Sequence, residues 1–135
     1  MNAGQARLPP VLLVEPQFVL RRTLVSVARE MQLVEFHEAT NMARALSALN
    51  TRKFNGIVLD LGDGSEGIEL LAELRKGTFA CDATVPVILM TTRPGAQNDE
   101  VLQALHPFGV LQKPFKINDL LQSMSFMAAR PRRVQ

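Results

Sequence analysis

Four apolar runs in this chain each finish on a polar side chain of a different kind. "VLLVEP" (11–16) reaches Glu15 and "GIVLDL" (56–61) reaches Asp60, while "VILMTT" (87–92) ends on hydroxyls and "GVLQKP" (109–114) on the amine of Lys113. A carboxylate such as Asp60 can attack phosphorus and form an acyl phosphate, provided the accumulating negative charge is neutralised. Lys113 supplies a compact ammonium for a phosphoryl oxygen, Thr91 a hydroxyl, and Thr92 a backbone N–H. Glu15 beside Asp60 offers oxygen to a hard divalent cation such as Mg2+. Each residue alone has a plainer reading: a turn former, a hydroxyl bonded to local backbone, a lysine snorkelling from a sheet edge. Together they make a nucleophile, two phosphoryl donors and part of a metal seat.

The segments between these runs show what must hold them. Residues 17–31 carry Leu20, Leu24, Val27, Ala28 and Met31 at helical spacing. "LVEFHEA" (33–39) alternates, as a strand near a sheet edge does. Residues 41–50 place Met42, Ala45, Leu46 and Leu49 on one face, with Asn41 as cap. Residues 66–75 repeat the stripe through Ile68, Leu71 and Leu74; a weaker helix is expected near 97–106 and a last one over about 117–128. Strands are expected at 11–15, 57–61, 85–90 and 109–112. Continuous apolar strands alternating with amphipathic helices predict an α/β fold, a single doubly wound parallel sheet covered on both faces. Such sheets gather ligands beyond the carboxyl ends of their strands, where Glu15, Asp60, Thr91 and Lys113 all fall.

Composition bounds the partners. With 135 residues the chain makes one domain. Its formal charge of +2 misleads, because Arg7, Arg130, Arg132 and Arg133 lie near the ends. Without them 11 basic residues face 13 acidic ones. "ARPRRVQ" reads as a solvated tail or linker stub. The chain has no Trp or Tyr to stack on bases and no helix-turn-helix pattern, so no direct nucleic-acid binding is expected of this body. The lone Cys81 rules out an internal disulfide and reads as a structural thiol. The N-terminus lacks a secretory h-region and no window is long and apolar enough for a membrane span, so no membrane partner and a cytoplasmic location are expected. His37 and His106 have no second ligand at metal spacing and read as structural or solvent-facing.

The motifs "VLLVE" (11–15), "RR" (21–22), "IVLDL" (57–61), "GIELL" (67–71), "VPVILMTT" (85–92) and "KPF" (113–115) together resemble a response-regulator receiver domain of two-component signalling. The resemblance covers residues 9–128, leaving 1–8 and 129–135 as flexible termini. It implies a flavodoxin-like sheet of order 2-1-3-4-5 flanked by five helices. It also implies phosphoryl transfer onto Asp60 from a histidine kinase or phosphotransfer protein, with Thr91 and Lys113 as phosphate-sensing partners. Mg2+ would be held by Glu15, Asp60 and the backbone carbonyl of Gly62. Output would pass to a downstream protein target or a fused output domain, or through a homodimer across the fourth helix, fifth strand and fifth helix. A receiver is a phospho-acceptor and not an enzyme in the usual sense.

Three departures qualify that picture. Where receivers place two adjacent acids, this chain has Glu15-Pro16, so one direct metal ligand is lost and weak Mg2+ binding is expected. The loop after Asp60 lacks the usual proline, having Gly64 there, and its glycine, Gly67, comes one residue early. Ser65 is a candidate cap for the helix that follows. The aromatic expected three residues before Lys113 is Val110, and Phe108 is out of phase by two. These departures favour an alternative, a degenerate receiver acting as a phosphorylation-independent interaction module. A third reading, an aspartyl-phosphate hydrolase, needs an acid two residues past the nucleophile, where Gly62 stands. Arg93, two residues past Thr91, is a candidate to capture or shield a phosphate.

Overall fold

The computed structural model describes residues 7–129, with side chains to Met127. Five strands, β1 (Pro10–Val14), β2 (Glu35–Ala39), β3 (Gly56–Asp60), β4 (Val87–Thr91) and β5 (Gly109–Gln112), form one parallel sheet of order β2-β1-β3-β4-β5. The helices are α1 (Phe18–Glu30), α2 (Met42–Thr51), α3 (Glu66–Arg75), the single turn α4 (Glu100–Gln103) and α5 (Ile117–Ala129). The expected doubly wound, flavodoxin-like order is the observed one. The expected flexible ends lie mostly outside the described residues.

Strand pleating sends alternate side chains to opposite faces, and both faces are packed. Leu12, Val14, Ile57, Leu59, Val87 and Leu89 meet Leu49, Leu71, Leu74 and Leu102 from α2, α3 and α4. Val11, Leu13, Val58, Ile88 and Met90 meet Leu24, Ala28, Leu120 and Met124 from α1 and α5. Burial on both sides is why the central strands are continuously apolar. The edge strand β2 is only partly buried, and its burial does not alternate: Ala39 alone of Glu35–Ala39 is fully buried. Met31 and Leu46, placed by spacing on the apolar stripes of α1 and α2, are instead exposed.

The largest difference lies between β4 and β5. In place of the weaker helix that the sequence predicts near 97–106, the segment holds a 3-10 turn at Ala96–Asn98 and the one-turn α4. Asp99 interrupts it, its carboxylate accepting the Val101 and Leu102 N–H groups as an N-cap does. His106, at φ 55°, takes a left-handed conformation that ends the helical path before Pro107. Asn41 caps α2 as expected, accepting the Arg44 N–H. Ser65 occupies the N-cap position of α3, yet its hydroxyl meets Glu69 Oε1 at 3.3 Å and makes no capping bond.

The shortened loop after Asp60 closes through Gly67. A Cβ there would lie 2.8 Å from Leu61 Cα and 2.9 Å from its carbonyl oxygen. The start of α3 thus packs directly on the backbone that follows Asp60, an approach only glycine permits.

Candidate functional site

Asp60 ends β3, and the adjoining N–H of Leu61 donates to Met90 O on β4. Thr91 ends β4, and its carbonyl accepts the Lys113 N–H at 2.7 Å, fixing the residue just past β5. From there the Lys113 side chain reaches back across the strand ends. Its Nζ lies 3.0 Å from Asp60 Oδ1 and 2.5 Å from Glu15 Oε1. The Lys113–Pro114 peptide is cis. Two carboxylates from sequence-distant places therefore share one amine.

Glu15 is the most enclosed member, its side chain 1% exposed against 12% for Asp60 and 15% for Lys113. A buried carboxylate needs its oxygens satisfied. Oε1 takes Lys113, and Oε2 accepts the Gln17 N–H at 2.9 Å. The main chain of this turn is held as well. Arg21 Nη1 donates to Glu15 O at 3.1 Å and to Pro16 O at 3.4 Å, while its Nε pairs with Glu38 Oε1 at 2.9 Å. Arg22 donates to the other Glu38 oxygen. Arg21 thus clamps the end of β1 to β2, and Arg22 adds a second bond to Glu38.

Burial pulls the Lys113 ammonium down, but the hydrogen bonds to Glu15 and Asp60 and their negative charges outweigh it, and the amine's pKa ends above its ordinary value. It is fully charged at neutral pH. Thr91 is buried, and its Oγ1 accepts the Arg93 N–H at 3.1 Å, so the hydroxyl oxygen is tied to its own loop. Its O–H remains a donor.

The other expected residues are more scattered. Gly62 is exposed, with a left-handed backbone at φ 72°. Asp63 is an exposed loop acid, and Glu66 is exposed in the first turn of α3. Arg93 points its guanidinium toward the capping residue Asp99, Nη1 to Oδ2 at 3.8 Å. Val110 packs on the α2–α3 side of the sheet, whereas Phe108 packs on the α1–α5 side. Phe108 is therefore on the wrong face as well as out of phase. His37 stacks edge-on to Phe54 and lies beside Arg52 and Glu35, a structural setting. His106 is exposed.

A further residue organises the far side of the sheet without any signal in the sequence. Arg75, the last residue of α3, donates to four carbonyls: Leu105 at 2.8 Å, Ala83 at 2.8 Å, Val85 at 2.7 Å and His106 at 3.0 Å. It ties α3 to the approach to β4 and to the turn after α4. A lone arginine in a helix's last turn gives no signal of this in sequence, since its acceptors are main-chain atoms that only the fold supplies.

One parallel, doubly wound sheet thus brings a carboxylate, a hydroxyl and a shared amine together at the carboxyl ends of β3, β4 and β5, the arrangement of a receiver-type domain. The family model for the response regulator receiver domain matches residues 11–125, and the chain belongs to that family. It is similar to the KDP operon transcriptional regulatory protein KdpE of Escherichia coli (strain K12), 36% identical over 114 residues, 82% of this chain and 47% of that protein. The phosphate regulon transcriptional regulatory protein PhoB of Pseudomonas aeruginosa is 28% identical over 123 residues, covering 89% of this chain and 52% of that one. The chain thus spans about half the length of these curated relatives. The non-phosphorylated HemR receiver domain of Leptospira biflexa matches with a TM-score of 0.80 at 24% identity, over 94% of this chain and 99% of its own. The receiver domain of the Pseudomonas aeruginosa PAO1 sensor histidine kinase PA1611, which has a magnesium ion coordinated in its active site cleft, matches with a TM-score of 0.74 at 21% identity, over 93% and 100%. Both of these likenesses are of fold.

Magnesium demands near-octahedral oxygen ligands at about 2.0–2.1 Å, commonly from carboxylates. Among the described residues, no group of three or more His, Cys, Asp or Glu is placed to hold a metal ion. Glu15 and Asp60 converge, but on the Lys113 amine. This donor set does not fit a resident divalent cation.

Proposed function

We propose that Asp60 accepts a phosphoryl group from the phosphohistidine of a histidine kinase or phosphotransfer protein. The observation carrying this reading is the 3.0 Å approach of Lys113 Nζ to Asp60 Oδ1 at the open rim of the sheet. A carboxylate oxygen of Asp60 attacks phosphorus, the P–N bond to the donor imidazole breaks, and the imidazole leaves with its electron pair. Lys113 is already protonated and offers charge to the incoming phosphoryl oxygens without a proton transfer. The Thr91 hydroxyl donates to the same group once it arrives, and Arg93 at the mouth can leave its long contact with Asp99 to shield it.

The phosphorylated domain then acts through protein contacts in the cytoplasm, on a downstream target or a fused output domain. The full lengths and names of the KdpE and PhoB relatives support the second of these. Self-association across α4, β5 and α5 is a further route of output. Incubation with a small-molecule phosphodonor, followed by intact-mass measurement, tests the reading. One phosphoryl increment on the wild type and none on Asp60→Asn supports it, and an unmodified wild type refutes it.

A second reading has its own observation. β5 itself carries no aromatic residue, and Phe108 just before it packs on the opposite face of the sheet from Val110. This favours a phosphorylation-independent docking module, in which Asp60→Asn binds partners as the wild type does.

A further inference from the structure

The geometry points to Lys113 as the resident cation of this acid pocket, bridging the two carboxylates that remain where Pro16 supplies no third, with Glu15 as the residue that positions it. The inference rests on reading Glu15, Asp60 and Lys113 as the receiver's acid pocket, and not on whether Asp60 is phosphorylated.

Three observations carry it. The amine sits between the two carboxylates, 2.5 Å from one and 3.0 Å from the other. An ion bridging the same oxygens would have to evict it. Lys113 is tethered, its main-chain N–H bonded to Thr91 O, so it surrenders none of the translational freedom that a free ion loses on binding. Glu15, for its part, is not free to turn toward a metal. Its second oxygen holds the Gln17 N–H, and its carbonyl and that of Pro16 take the Arg21 guanidinium. Rotation of the buried carboxylate would strand a bonded partner on each side.

Charge points the same way. Two carboxylates and one ammonium leave the cluster one unit negative, whereas an acid at position 16 would leave it two units negative. Position 16 is Pro, which supplies no side-chain oxygen and lies exposed at the mouth of the turn. Divalent affinity follows ligand number and ligand charge. Both are short here, and the remaining charge is already half neutralised by a group that cannot diffuse away.

The test is a Mg2+ titration of the full chain, followed by the amide resonances of residues 15, 60 and 62, on the wild type, Pro16→Asp and Lys113→Met. Pro16→Asp restores a third carboxylate, and Lys113→Met removes the resident cation. The two act independently, so one misfolded variant leaves the other informative. The wild type is expected to show no saturable shift over a range in which the variants saturate, a gain of about tenfold or more in affinity. A wild type that saturates alongside the variants overturns the inference, as does failure of both folded variants to bind. The readout is cation binding, so its failure is separate from that of phosphorylation. A wild type that takes up a phosphoryl group yet binds Mg2+ like the variants refutes only the present inference. One that follows the expected Mg2+ pattern but gains no phosphoryl mass refutes only the phospho-acceptor reading.

Discussion

Replacing Lys113 with Met strips the counter-ion from two carboxylates that the fold holds close together. The shared nitrogen lies 2.5 Å from Glu15 Oε1 and 3.0 Å from Asp60 Oδ1, so those oxygens are at most 5.5 Å apart, the two distances laid end to end. At an effective dielectric near 20, like unit charges at that separation repel by about 3 kcal/mol. That is a large share of a typical domain stability of about 5–15 kcal/mol. Binding one proton relieves the repulsion, so the folded variant takes up a proton more readily than its unfolded chain does. In linkage terms a carboxylate of the pair is raised in the folded state. Stability is then retained near and below the ordinary carboxylate range of about pH 4 and lost as pH rises above it. The deficit of Lys113→Met against the wild type should therefore be small near pH 4 and approach about 3 kcal/mol near pH 7. Urea unfolding of both proteins across that range measures it. Adding Glu15→Gln to Lys113→Met removes one of the charges, and should recover most of the loss at neutral pH and flatten the pH dependence. A deficit that is the same at both ends of the range, or no recovery from the second substitution, would refute the shared-amine geometry.

Arg75→Ala leaves four main-chain carbonyls without their donor and should cost about 2–4 kcal/mol in chemical denaturation. Arg75→Lys should recover only part of this, because an ammonium cannot reproduce the forked geometry. Gly67→Ala pushes a methyl into the Leu61 backbone and should cost about 1–3 kcal/mol, read as a drop in Tm, with slower phosphoryl uptake at the neighbouring Asp60. Burial pushes the Cys81 thiol above its ordinary pKa, so a thiol reagent should modify the native protein only as fast as it opens. The same shift makes its contribution to stability fully present below the unfolded thiol value of about 8.5 and lost as pH rises beyond it.

The sheet and its rim were legible in sequence because both are written in short, strongly patterned runs. A strand buried on two faces has no alternative to a continuous apolar run such as "GIVLDL", and the first polar residue after it marks the carboxyl end. The segment 96–106 was not legible in the same way. Its apolar spacing suits a helix, but the Asp99 carboxylate competes for the Val101 and Leu102 N–H groups and restarts the turn. Side-chain spacing does not show where a local cap beats propagation. Glu15 was legible as a pocket residue but not as a partner of Lys113, since 98 positions separate the two and only the β1-β3-β4-β5 order brings them together.

The same order limits how a change at Asp60 can travel. Thr91 holds its hydroxyl oxygen on the Arg93 N–H, its carbonyl on the Lys113 N–H, and faces no aromatic on β5 that could follow it. The connections that do leave the site are main-chain or charged: Lys113 to the end of β5, Glu15 through Gln17 and Arg21 to α1, and Glu38 on β2. A phosphoryl group on Asp60 competes with Glu15 for one ammonium. If Lys113 follows the phosphate, Glu15 is left buried at 1% exposure with one oxygen unpaired, a state that costs about 1–3 kcal/mol or more for a charged group. Relief requires the turn at Gln17 to open or the carboxylate to take a proton. On the phospho-acceptor reading, the contacts of Glu15 thus lead from Asp60 to the exposed start of α1, where Phe18 and Val19 lie 67% and 75% exposed. Amide exchange at Gln17 is where that coupling is read. Incubation with phosphodonor should change protection there in the wild type, but not in Asp60→Asn, and not once Glu15→Gln has removed the charge that Lys113 would abandon.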